Sequence, residues 1–192
     1  MSVGDGLQAV PRVTIAAPRC APMTIRDELP VDHAAIREVN RAAFGRDDEA
    51  DLVDRLRDAH LVIRSKVAIE AGRVVGHVLF SPVRIETENG TVAIASLAPL
   101  AVAPDRQRHA IGSALVTDGI DVCRADGWPA IVLVGDPKFY ARFGFSRAPV
   151  INLTNPYSDE AFLGLELVAG ALSRRSGSVR YPAAFDALSG HG

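Results

Sequence analysis

Lysine is almost missing from this 192-residue chain: of 21 basic residues only Lys66 and Lys138 are lysine, the rest arginine. Both side chains solvate a surface, so this reads as compositional bias. The two cysteines, Cys20 and Cys123, are too few for a disulfide framework and lack metal-ligand spacing. The five histidines form no HxxxH or HxH pair, so no zinc site and no metal cofactor is expected. No apolar run reaches the ~18 residues that a membrane span needs. Asp5 stands where a secretory signal would be positive. The expectation is a cytoplasmic protein. A formal net charge of −2 argues against a nucleic-acid or membrane-surface binder, which is usually basic. The two commonest phosphate-loop patterns, GxxxxGK[ST] and GxGxxG, are absent.

What remains suits one globular domain, with 48% apolar and 23% charged residues. Residues 1–22, rich in Gly, Pro and Ala, read either as a flexible leader or as residues ahead of a true start at Met23. Asp32 is placed to cap a helix carrying Ile36, Val39, Ala43 and Phe44, and a second helix spans roughly 48–59. Runs at 66–70, 74–85 and 91–102 are β-branched and apolar. Ala71-Gly72 and Glu88-Asn89-Gly90 break them, which predicts an antiparallel meander. The order then becomes strand, helix, strand, helix, strand. The spacing predicts a helix over 112–125 with Leu115, Val116, Gly119, Ile120 and Cys123 inward, then a fully buried strand at 130–134.

In GDPKFYARFGF, Asp136 reads as an N-cap, Pro137 as the first helical residue and Gly144 as a left-handed terminator. Phe139 and Phe143, four apart, would form its buried face, with Tyr140 about 100° away. Strand signals resume at Phe145 and in 163–168. Pro99 interrupts a run that otherwise looks like a central strand, so this strand either lies at an edge or bulges there and opens a cleft.

RQRHAIGSALV, residues 106–116, follows that strand. Its turn offers consecutive N–H groups, a helix start and the cations Arg106 and Arg108, a natural seat for a diphosphate. QRHAIG, between LAPLAVAP and SALV, resembles motif A of the GNAT acetyltransferase superfamily, Q/R-x-x-G-x-G/A. FYARFGF at 139–145 is similar to the family's segment in which a tyrosine precedes a Gly-Phe pair. GHVLFSPV, SDEAFLGLEL and VRYPAAF look like a bacterial subgroup with a C-terminal extension.

The resemblance implies an α/β (α+β mixed-sheet) acyltransferase fold: a mostly antiparallel sheet, a splayed strand pair and flanking helices. It implies a core over 23–150, with 151–192 packed on the same domain. It also implies acetyl-coenzyme A as acyl donor and a primary amine, of a small molecule or a protein, as acceptor. The donor would be held by Leu100, Ala101 and Val102 along the pantetheine arm. Gln107, Arg108, His109, Ala110, Ile111, Gly112 and Ser113 would hold the pyrophosphate. A backbone N–H beside the bulge would meet the oxyanion, and Tyr140 would be the general acid. Dimers are common in the family, so a homodimer is a possible assembly, although no residue here points to one.

Ala110 replaces the first motif glycine. At positive φ alanine is disfavoured by roughly 1 kcal/mol; at negative φ its methyl crowds the phosphate instead. The general base stays open among His77, Glu70, Asp136 and a water chain, with Ser96 able to position a water. A non-catalytic acyl-coenzyme A sensor on the same fold is the alternative to an enzyme.

Overall fold

The computed structural model describes residues 22–157 and 160–188; the leader at 1–22 therefore lies almost wholly outside the described residues. Eight strands form one sheet: β1 (Thr24–Asp27), β2 (Arg64–Glu70), β3 (Arg73–Thr87), β4 (Gly90–Val102), β5 (Ala130–Val134), β6 (Leu153–Thr154), β7 (Phe162–Glu166) and β8 (Gly177–Arg180). Four helices accompany them: α1 (His33–Phe44), α2 (Asp48–Asp58), α3 (Ile111–Ala125) and α4 (Pro137–Tyr140). The path β1-β2-β3-β4-β5-β7 is antiparallel except at β4–β5. β8 lies along the distal half of β3 and carries β6 parallel to it. The fold is thus the mixed, mostly antiparallel one expected.

Strand alternation assigns β3 to both layers. Val78 and Phe80 face α3, packing with Leu115 and Val116, while Leu79 between them faces α1 and α2 with Ile36, Leu52 and Leu56. Each such fully buried side chain contributes about 1.5–3 kcal/mol. β5 is apolar throughout because both its faces are covered: Ile131 and Leu133 on the α3 side, Ala130 and Val132 against Val150, Phe162 and Leu172. Gly119 lets α3 approach the sheet. A Cβ there would stand 2.3 Å from the Phe80 ring, inside any tolerable contact.

The Pro99 alternatives resolve into a bulge in a central strand. Phe80 pairs with Leu97 and Val78 with Leu100, so Ala98 and Pro99 together oppose Leu79. β4 pairs with β5 only at Ala95–Ile131 and Ser96–Val132. Past the bulge the two strands splay. From Leu97 to Val102 the β5-side edge of β4 has no strand partner among the described residues.

Two local expectations need correction. Asp32 stands at the N-cap of α1, but its side chain makes no cap hydrogen bond. It accepts instead from Leu29 N–H at 2.7 Å and from the Arg26 guanidinium at 2.6 and 2.9 Å, tying β1 to the helix start. The second concerns α4, a single turn that passes into a 3-10 turn at Ala141–Phe143. The tighter winding after Tyr140 takes Phe143 off the α-helical spacing from Phe139. Tyr140 is the buried residue, while Phe139 and Phe143 are half-buried under the Arg142 guanidinium. The caps themselves are as expected: Asp136 accepts from Lys138 N–H and Gly144 is left-handed at φ 89°. The C-terminal strand β8 carried too weak a pattern to be expected.

Candidate functional site

Two cavities flank the splayed end of β4 and meet at Phe44 and Leu100, which line both. The first, of about 680 Å³, lies over the turn between β4 and α3 and is bounded by Val102, Arg108, Gly112 and Phe139. In this turn Arg108 (φ 64°) and Ala110 (φ 62°) are both left-handed. The motif alanine therefore occupies the conformation that favours glycine. Arg106 N–H donates to Ala103 and Ala114 N–H to Ala110. Between them no main-chain N–H of residues 107–113 makes a well-formed hydrogen bond to another described residue, while the Gln107 side-chain amide donates to the Val102 carbonyl at 3.2 Å. Successive unpaired N–H groups around left-handed residues, at the start of a fifteen-residue helix, form a concavity suited to an anion.

Gln107, Ala110, Ile111 and Ser113 also line this cavity. Arg106 does too, but its Nε is held by Glu70 at 2.5 Å, leaving Arg108 the more available cation. A Cβ on Gly112 would make only ordinary contacts, 3.5 Å to Val102 and 3.6 Å to Phe139. The chain's own packing thus does not demand glycine there. A side chain at 112 would instead project among the residues that bound the cavity, so the cradle fits a phosphate group brought close to the backbone.

Two expected contacts fall outside. Ala101 is buried and packs with Val39 on the opposite face, because strand alternation sends Leu100 and Val102 to the cavity and the residue between them away. His109 is exposed, does not line the cavity, and its Nδ1 lies 2.8 Å from the Gln107 carbonyl.

The second cavity, of about 440 Å³, opens between the splayed strands. Ser96, Pro99, Gly135, Asp136 and Tyr140 are on its walls. The Tyr140 ring sits edge-to-face on Phe139 and Phe145, at 4.8 and 5.8 Å between centroids. Burial pushes its phenol up to about 12, so it keeps its proton at neutral pH. Thus neighbouring residues serve the two cavities, Phe139 the first and Tyr140 the second.

Among the acid–base candidates, only Asp136 lines either cavity. Glu70 is bound to Arg106. His77 is fully buried on β3, with Nδ1 3.1 Å from Asn40 Nδ2 and Nε2 2.9 Å from Ser65 Oγ, which in turn donates to Glu28. With Asn40 donating to Nδ1, the imidazole proton lies on Nε2. Burial drives its pKa down to about 3. It is a satisfied core histidine, which corrects its candidacy as a base.

Glu49, which sequence reasoning passed over, also lines the second cavity and is only 6% exposed. In the acidic first turn of α2 it resembles a dipole-complementing surface residue. The signal was its spacing: residues 49, 52, 53 and 56 share the helix's buried stripe. Among the described residues no group of three or more His, Cys, Asp or Glu is placed to hold a metal ion, and no helix is long and apolar enough to cross a membrane.

Known proteins share this chain's sequence and fold. The acetyltransferase (GNAT) domain family matches residues 25–148. An uncharacterized N-acetyltransferase of Escherichia coli, YhbS, is 36% identical over 162 residues, covering 83% of this chain and 96% of the relative. Its crystal structure in complex with coenzyme A superposes with a TM-score of 0.79 at 33% identity, over 89% of this chain and 95% of that one. A GNAT family acetyltransferase of Brucella melitensis, in complex with acetyl-coenzyme A, gives 0.73 at 36% identity, over 86% and 99%.

Proposed function

Since the chain belongs to the GNAT acetyltransferase family, we propose that it moves an acetyl group from acetyl-coenzyme A to a primary amine of a small molecule or protein. The observation that carries this reading is the run of main-chain N–H groups at 107–113 without well-formed partners among the described residues, beside a cavity that shares Phe44 and Leu100 with a second one under the bulge. Two relatives that bind coenzyme A or acetyl-coenzyme A support the same donor here.

On this reading the turn 107–113 and Arg108 hold the diphosphate. The unpaired edge of β4 from Leu100 to Val102 receives the amide-bearing arm as an added strand. The donor supplies an activated thioester carbon. The amine nitrogen bonds to that carbon, the carbon–sulfur bond breaks, and the amine gives up a proton as the sulfur gains one. A main-chain N–H next to the bulge faces the carbonyl oxygen as charge builds on it. Tyr140 is the proton donor to sulfur. Its raised pKa, against ~8.5 for a thiol, means that it works by hydrogen bonding and releases its proton only as the sulfur becomes anionic. Asp136, directly or through water, accepts the proton from the amine; its position on the wall of the second cavity supports this role.

A sensor without catalysis drew its support from Ala110 and from the lack of a base. Ala110 takes the required left-handed turn, and two carboxylates line the second cavity, so transfer is the better-supported reading. Calorimetric titration with coenzyme A, followed by free-thiol release from acetyl-coenzyme A across an amine panel, tests it. Binding with amine-dependent thiol release is expected. Binding with only slow hydrolysis would return the sensor, and no binding would remove both.

A further inference from the structure

Arg46 and Glu49 from the α1–α2 junction, with Tyr157, Tyr181 and Phe185 near the C-terminal end, wall the second cavity and have no part in holding the donor. Resting on the transferase reading above, in which this cavity takes the acceptor, we infer that the acceptor is a small amine with an aromatic or otherwise apolar body. Its ammonium end is drawn to Glu49, gives up one proton to solvent before the nitrogen attacks, and gives up a second to Asp136 as the amide forms.

Size is the first argument. At about 440 Å³ the cavity lies within the range of small-molecule sites. The second is the wall. Tyr157, Tyr181 and Phe185 pack in succession, edge-to-face at 5.1 Å and tilted at 5.0 Å between rings, and line the cavity together with Leu97 and Pro99. Such a surface rewards an apolar body, and an aromatic one above all.

Charge is the third argument. Two carboxylates, Glu49 and Asp136, line the cavity against one guanidinium. Arg46 grips Glu49 through Nε at 3.1 Å and Nη2 at 2.6 Å, fixing the carboxylate's orientation. A carboxylate has roughly four acceptor positions, so about two remain for an ammonium, which forms the stronger, charge-assisted kind of hydrogen bond. The same pair, with Asp48 3.6 Å from Arg46 Nε, offsets the guanidinium's charge, so a substrate carboxylate meets a wall of net negative charge.

The experiment is steady-state acetylation of phenethylamine, tyramine, spermidine, a free amino acid and a lysine-containing peptide, with coenzyme A binding measured separately. The two arylalkylamines are expected to exceed the others in kcat/KM by at least tenfold. Glu49→Gln should raise the KM of the amine about tenfold and leave that of acetyl-coenzyme A within twofold. Val134→Trp is the control against misfolding, because Val134 is 41% exposed at the cavity wall. It should cut arylalkylamine kcat/KM at least fivefold with coenzyme A binding unchanged. A preference for spermidine, the amino acid or the peptide, or an unchanged amine KM in Glu49→Gln, overturns this inference while the transferase reading stands. Loss of coenzyme A binding in the unaltered protein overturns both.

Discussion

Gly135 lies directly beneath the ring of Tyr140: a Cβ at position 135 would stand 2.5 Å from Cε2. The glycine that ends β5 therefore sets where the proposed acid sits. No left-handed backbone is involved; the requirement is space alone.

Gly135→Ala should consequently act as an indirect lesion of Tyr140. Turnover is expected to fall at least tenfold, towards the level of Tyr140→Phe, with coenzyme A affinity within twofold. The double variant should be no slower than Tyr140→Phe alone, because both changes act on one group. Additive losses in single-turnover rates would mean that Gly135 matters for another reason.

Ala110→Gly tests the turn. At φ 62° the alanine carries a strain of roughly 1 kcal/mol that glycine lacks. The variant should melt about 2–4 °C higher by calorimetry. Its coenzyme A affinity should change by no more than tenfold, the ~1.4 kcal/mol scale. A lower melting temperature would show that the added freedom of glycine in the unfolded chain outweighs the strain.

Gly112→Glu separates binding from folding. The first atom of the new side chain meets nothing closer than 3.5 Å, so the melting temperature should stay within a few degrees. The carboxylate would repel a diphosphate, and titration should detect no coenzyme A binding. Normal binding in this variant would move the donor site elsewhere. Gly119→Ala offers the contrast, since its Cβ collides with Phe80 at 2.3 Å and should destabilise the protein itself.

His77 makes stability sensitive to acid. Its folded pKa, about 3, lies below the ordinary ~6.5 of an unfolded chain. Between these values the unfolded chain binds a proton that the folded one refuses. Stability is therefore complete above pH 6.5 and falls as the pH drops towards 3, by a total on the order of 5 kcal/mol. Glu28 acts in the same direction. Burial alone would raise its pKa, but hydrogen bonds from Arg57 and Ser65 outweigh that and hold it below the usual carboxylate range. Urea midpoints measured between pH 7 and 4 should fall steeply, and less steeply in His77→Gln. Parallel curves for the two proteins would refute the assignment.

Much of this was legible in the chain because the signals were local. The Asn-Gly hairpin, the fully apolar run at 130–134 and the Asp136–Pro137 helix start each follow from a few adjacent residues, and so does the 107–113 turn. Pro99 announced an irregularity, but choosing between bulge and edge needed the register against Leu79, which only the assembled sheet fixes. His77, on a strand, looked as much like a base as a core residue until Asn40 and Ser65 closed around it. Glu49 was hidden by a competing rule, since acids in a first turn ordinarily complement the dipole. Tyr181 was not legible at all. Its position depends on β8 joining β3 about a hundred residues upstream in the chain, a pairing without local periodicity.

The division of labour along β4 has a consequence for descent. On its α3 side the groove is built chiefly from main-chain amides, which most substitutions leave untouched. On the other side the walls are side chains drawn from α2 and from the residues following β8, each exchangeable singly. On the proposed reading, a duplicated copy of this protein would inherit its donor intact while drifting to a new acceptor through a handful of replacements, Glu49 and Tyr181 first among them.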